Sequence, residues 1–234
     1  GWIIGLGLSV VFLSSIFNDH IYAISSLFTG LIIVAIPMII KQEKDSIVGQ
    51  YKNIIFTIIG VAIVALITYF NPAAGSEGGL NLSISGLSIG LGIFVFVAGM
   101  IAISAMVLPG ISGSTLLLIF GLYTGIINAI KEFLTFNFEY VPVLVIFGLG
   151  VITGIVSTIK IIKIELKRHR SQMIYLILGL MIGSLYAVFM GPTTLEVAKP
   201  AMTLSTFSFI YFIIGGAILL GLEKGKDLLE KKAK

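Results

Sequence analysis

An all-α, polytopic membrane fold of about seven or eight hydrophobic helices is what this sequence predicts, with inverted repeats and a re-entrant helix hairpin around 105–130. Three observations predict it. The 234 residues are 57% hydrophobic and only 11% charged, against about 25% charged in a typical soluble domain, and mean hydropathy is +1.11. From Gly78 to Ile130 there is no acidic or basic side chain, a run of 53 residues. That is enough for two bilayer crossings at about 20 residues each. Finally, two stretches of the chain resemble each other while their flanking charges orient them oppositely.

Hydrophobic segments fall at 2–17, 21–40, 53–70, 86–108, 114–130, 141–160, 172–190 and 205–222. Each is expected to be helical, because a backbone in hydrocarbon must satisfy its polar groups within the segment. Pro37, Pro142 and Pro192 stand near segment edges, where helices tolerate proline. Basic residues then orient the spans. Lys41, Lys44 and Lys52 mark one cytoplasmic loop, and Lys160, Lys163, Lys167, Arg168 and Arg170 a second. Lys224, Lys226, Lys231, Lys232 and Lys234 put the C-terminus in the cytoplasm as well. Loops 71–85 and 191–204 hold one lysine between them, Lys199, and read as external. Loop 131–140 sets Lys131 against Glu132 and Glu139, which is compatible with outside. These assignments agree if 86–108 and 114–130 together make an even number of crossings.

The self-similarity aligns IGLGLSVVFLSSI (4–16) with FGLGVITGIVSTI (147–159), matching Gly5/Gly148, Leu6/Leu149, Gly7/Gly150, Ser14/Ser157 and Ile16/Ile159. With six extra residues in the second copy, 20–31 aligns with 169–180. His20/His169, Leu27/Leu176, Gly30/Gly179 and Leu31/Leu180 then coincide. Segment 2–17 must run outward, because 21–40 ends at the Lys41 cluster, whereas 141–160 runs inward to the Lys160–Arg170 cluster. Opposed copies of this kind recur in secondary transporters, with the substrate site at the repeat interface. The chain therefore reads as a single integral membrane domain, 1–234. Residues 1–70 would be the remainder of a first repeat and 86–222 the second repeat.

Inside the uncharged run, MVLPGISGSTLLL (106–118) gathers helix breakers. Pro109 removes a backbone donor and disfavours helix at Leu108, while Gly110 and Gly113 allow close backbone approach. Ser112, Ser114 or Thr115 can cap a new helix running through Leu116 to Ile130. The product is a break facing free N–H groups and hydroxyls, which suits an anion such as phosphate. Gly121 and Gly125 would let neighbouring helices pack closely. An ordinary turn with serine as a plain cap is the bland reading of the same residues.

Composition narrows the chemistry. With no cysteine, disulfides and thiolate ligands are excluded. No carboxylate lies inside a span, which argues against a metal site or proton relay there, and the positive charge reports topology rather than nucleic-acid binding. GISG also fits the Gly-x-Ser-Gly pattern of rhomboid-type intramembrane proteases, with Ser112 as nucleophile. A base would have to be His20 or His169, both at segment ends. A small-anion transporter is a further alternative.

PGISGSTLLLIFGLYTGIINAI (109–130) resembles the second-repeat signature of the bacterial polyprenyl-phosphate transporters, in which PGxSGS is followed by leucines and then GxY. FGLGVITGI, the basic loop and LGLMIGSLY (178–186) fit the same family. The resemblance implies a non-enzymatic flippase. It would move undecaprenyl phosphate or a related polyprenyl phosphate from the outer to the inner leaflet of the bacterial cytoplasmic membrane, so that this carrier of cell-wall precursors can be reused. It implies that Pro109, Gly110, Ser112, Gly113, Ser114 and Thr115 form a hairpin tip facing the phosphate, with Gly121 and Tyr123 shaping the following half-helix. The implied partners are the lipid substrate and the bilayer, without cofactor, metal or nucleic acid; a coupling ion and homo-oligomerisation stay open. The family's first-repeat motif, of the PGxSGGT type, has no counterpart here. Because Gly1 stands within a hydrophobic stretch, the expectation is an N-terminally truncated chain, with the missing motif roughly 35 residues upstream, as the repeat spacing requires.

Overall fold

The computed structural model describes residues 2–70, 82, 88–109, 111–194 and 198–232, with side chains described between His20 and Gly225. Among these residues there are helices, turns and coil but no strand, as expected of backbone that must satisfy itself in lipid. Helix α1 (Trp2–Gln42) unites segments 2–17 and 21–40 through one non-helical residue, His20 (φ −120°, ψ 30°). A one-turn helix, α2 (Lys44–Ile47), precedes α3 (Ile54–Tyr69). Then come α4 (Ile89–Val107), α5 (Gly113–Ile119) and α6 (Tyr123–Leu134). Helices α7 (Val141–Arg168) and α8 (Arg170–Met190) meet at His169 (φ −129°, ψ 46°), and α9 (Phe209–Lys232) closes the order. The two histidines that the repeat alignment pairs thus occupy near-identical backbone conformations at helix joints.

Five described helices are long and apolar enough to cross a membrane: His20–Gln42, Tyr51–Tyr69, Ile89–Val107, Phe138–Arg168 and Arg170–Thr193. A sixth crossing results if α5 and α6, bent by 109°, count as one span. Helix α7 runs eight residues past the expected end at 160. Its extra turns carry Lys163, Lys167 and Arg168, whose long stems let a helix continue into the interface while the charged heads reach water.

The helices gather into two compact units, interleaved along the chain. One holds Gly1–Lys44 and Leu185–Lys234, the other Asp45–Ser184. In the first unit α1 crosses α9 at backbone contact. A Cβ on Gly30 would fall on the Phe212 carbonyl oxygen, and one on Gly215 on that of Leu27. Between helices in lipid there is little hydrophobic gain, so such small residues, which admit close van der Waals contact, hold the pair. Ser26, fully buried, accepts from the Ser208 N–H at 2.9 Å, and the Tyr22 hydroxyl donates to the Pro200 carbonyl at 3.0 Å. The α1 segment just after the His20 joint and the start of α9 therefore lie together, as the charge map requires of two connections assigned to one face.

In the second unit α8 crosses α3 in the same manner. A Cβ on Gly179 would fall on the Thr57 carbonyl oxygen, and one on Gly60 would lie 2.6 Å from that of Leu176. Asn53 Nδ2 donates to Ser171 Oγ at 2.7 Å, so their sequence neighbours Lys52 and Arg170 share one end, again as the charges require. A third crossing joins α4 to α7, where Gly99, Gly150 and Gly154 admit the facing backbone or side chains of Phe147, Phe96 and Met100. Beside it Val95, Ala98, Leu122, Ile126, Ala129 and Val143 form the buried core that positions the helix break.

Candidate functional site

Helix α4 ends where Pro109 requires it to. Leu108 is extended (φ −85°, ψ 138°), and its N–H turns back to the Ala105 carbonyl at 3.0 Å. Pro109 is exposed, and Gly110 lies outside the described residues. Ser112 occupies the cap position of α5 (φ −93°, ψ 129°), yet its side chain makes no cap hydrogen bond. Its Oγ instead pairs with Ser114 Oγ at 2.7 Å, both side chains exposed. In place of the plain serine cap of the bland reading, the tip holds a hydroxyl pair. The first N–H groups of α5 have no intrahelical acceptor, and with only seven residues in α5 the hydroxyls carry more of the polarity than any helix dipole. Gly113 is buried: a Cβ there would lie 3.0 Å from the Ala102 carbonyl oxygen and 3.7 Å from Met106 Cβ. The tip thus folds back onto the last turns of α4. Thr115 follows, half-buried.

The continuous helix expected from Leu116 to Ile130 is broken a second time. Leu122 donates to the Leu117 carbonyl and Gly121 to that of Leu118, both at 2.9 Å. Gly121 turns the corner at φ 68°, a left-handed conformation that glycine adopts without penalty. Gly121 therefore acts as a corner rather than as the helix-packing glycine expected from the sequence. Tyr123, half-buried, is the first residue of α6. Leu122, Ile126 and Ala129 bury one face of α6 in the core, and Phe94 packs edge-on to Phe120 at 6.2 Å.

Two features here escaped the sequence reading. The opposite face of α6 carries Thr124, Asn128 and Lys131, all exposed, a polar stripe at helical spacing that leads away from the Gly121 corner. Between α4 and α7, Thr158 Oγ1 donates to Ser104 Oγ at 2.7 Å, and Ser104 in turn to the Met100 carbonyl at 2.6 Å. The 124/128/131 spacing was available in the sequence, whereas nothing local pairs Ser104 with Thr158. As for a serine nucleophile, the hydroxyl of Ser112 meets a serine. His169, in the same compact unit, contacts Glu165 at 2.8 Å.

With this geometry in view, the chain matches the VCA0040-like, undecaprenyl phosphate translocase-like family over residues 1–206, and it belongs to that family. It is a membrane protein of a transporter family. A polyprenyl-phosphate transporter of Staphylococcus aureus is 38% identical over 225 residues, covering 94% of this chain and 76% of that protein. One of Vibrio cholerae is 28% identical over 228 residues, covering 88% of this chain and 67% of its relative. No solved structure matches the chain significantly.

Proposed function

We propose that this chain is a flippase that moves a polyprenyl phosphate, undecaprenyl phosphate or a close relative, across the bacterial cytoplasmic membrane for carrier recycling. Membership of the transporter family supports the substrate class. The observation that carries the site is the doubly broken α4–α5–α6 segment, whose tip presents the paired hydroxyls of Ser112 and Ser114 in an otherwise apolar stretch. A phosphate crossing hydrocarbon without donors would pay a desolvation cost of many kcal/mol. Hydroxyls and the leading N–H groups of α5 lower that cost while the isoprenoid tail stays in lipid. Their neutrality lets the anion leave again. Pro109, Gly110 and Gly113 shape this tip, Thr115 adjoins it, and Gly121 with Tyr123 aim the following half-helix. The residue matches at both glycine crossings support an inverted-repeat framework for the fold, and the lysines of the tail support a cytoplasmic C-terminus.

Transport of a fluorescent polyprenyl phosphate into protein-containing liposomes tests this. Ser112→Ala with Ser114→Ala is expected to slow translocation about tenfold, and Ser112→Ala alone to slow it only in part, because several donors share the anion. Complete loss from Ser112→Ala alone, with release of a hydrolysed product, would favour an intramembrane hydrolase. Liposomes that pass inorganic phosphate but not the lipid would favour a small-anion transporter.

A further inference from the structure

The tip is neutral, yet a cationic concavity adjoins the helix on which it rests. Thr158 is hydrogen-bonded to Ser104, which pins α7 to α4 one turn before α4 ends. Beyond that point a groove of about 390 Å³ opens. Val107, the last residue of α4, lines it together with Ile159, Ile162, Lys163, Lys167 and Arg170. The positions 159, 162/163, 166/167 and 170 follow the helical period, so one face of α7 and the start of α8 put three cations along an aliphatic floor.

Lys163, Lys167 and Arg170 are exposed, so their charged heads meet water while they border this open groove. The neighbouring carboxylate, Glu165, does not line the groove. Glu165 contacts His169 at 2.8 Å and lines a separate hollow with Phe56 and Gln172. A cationic mouth on an aliphatic floor complements a phosphate carried on a hydrocarbon chain. Its location completes the case: Gly113 packs on Ala102 and Met106, so the tip meets the same last turns of α4 that Val107 terminates.

We infer that this groove is a second phosphate station, which holds the monophosphate headgroup of a polyprenyl lipid at the membrane face where α4 and α7 end, with the first isoprene units against Val107, Ile159 and Ile162. This rests on the function proposed above. The neutral tip passes the anion through the apolar zone, and the cationic groove collects it at the interface. Collection there biases the headgroup toward that leaflet by its affinity alone.

The test measures binding of farnesyl phosphate to the full chain in nanodiscs of neutral phosphatidylcholine. Lys163→Gln with Lys167→Gln should weaken binding on the order of thirtyfold, taking about fivefold per cation near a membrane surface. It should also flatten the dependence on salt. Lys163→Arg with Lys167→Arg, retaining the charge, should bind within a fewfold of the parent and shows that the site tolerates substitution. Unchanged affinity in the glutamine variant overturns the groove and leaves the hairpin reading intact. Displacement by inorganic phosphate, or by phosphatidylglycerol vesicles, at the same concentration as farnesyl phosphate also overturns it, since the site would then be a free-anion or general anionic-surface site. Slowed translocation in the Ser112/Ser114 alanine variant with farnesyl phosphate still bound supports two separate stations. Unslowed translocation in that variant, with binding lost in the glutamine variant, defeats the hairpin reading while the groove stands.

Discussion

Where α1 meets α9, Leu27 and Gly30 face Gly215 and Phe212; where α8 meets α3, Leu176 and Gly179 face Gly60 and Thr57. The spacing is identical on both sides, and the first pair of each set is among those the sequence alignment matches. Only at the next turn do the crossings diverge. In the α3–α8 crossing Gly183 admits Val61 and Val64, whereas in α1–α9 the glycine is on the other helix, Gly216 against Val34. The polar fastenings differ too. Thr57 Oγ1 donates to the Tyr175 carbonyl at 2.9 Å, at a position where the other crossing has Phe212. Buried Ser26 accepts the Ser208 N–H, while Asn53 reaches Ser171 by its side chain. What the two crossings share is room for backbone approach. Which helix supplies the small residue, and which polar group ties the ends, are free to vary, because lipid rewards close packing rather than a particular side chain.

The comparison is broken most severely at its centre. Gly30→Val and Gly179→Val each drive a side chain into a facing carbonyl that belongs to a rigid helix. Each should cost about 3 kcal/mol, the upper end for overpacking, and the two losses should agree within about 1 kcal/mol. Detergent-solubilised protein melted in parallel checks this. A large loss for one variant with a mild one for the other would show that the crossings are not equivalent.

At the diverging turn the effect should be smaller, because a Cβ on Gly216 would meet only the Cγ2 end of Val34, at 3.0 Å. Gly216→Val is expected to cost about 1–2 kcal/mol. Adding Val34→Gly, which moves the small residue to the other helix as in the α3–α8 crossing, should recover about 1 kcal/mol. A double-mutant cycle reads that coupling directly. Strict additivity would mean that the two positions do not share one space.

Much of this was legible in the residues, for identifiable reasons. Gly30 and Gly179 were paired by the alignment because a backbone crossing tolerates nothing larger, and His20 with His169 because a polar joint between two apolar helices recurs. The break at Pro109 announced itself through proline chemistry. The corner at Gly121 did not, since one glycine in an apolar helix reads equally well as packing, and only its φ of 68° decides between them. The Ser112–Ser114 pairing was hidden because a serine at a helix start has a default role as a cap. Lys163 and Lys167 were read as markers of orientation, and their groove emerges only once α7 is seen to overrun α4 by two turns.

The smallest predicted effects lie in the polar fastenings, and their order is informative. Ser26→Ala removes the acceptor of the Ser208 N–H at a fully buried site. A donor left without its partner there should cost about 1 kcal/mol. Thr57→Val removes a hydroxyl whose partner, the Tyr175 carbonyl, lies within α8 and has a helical N–H available to it. Interhelical hydrogen bonds in membranes average about 0.6 kcal/mol, and the matching position of the other crossing, Phe212, has no hydroxyl. Thr57→Val should therefore lose less than Ser26→Ala in side-by-side unfolding. The reverse order would mean that the α3–α8 crossing depends on its hydrogen bond more than on glycine contact, and the resemblance between the two crossings would then be one of shape without a shared source of stability.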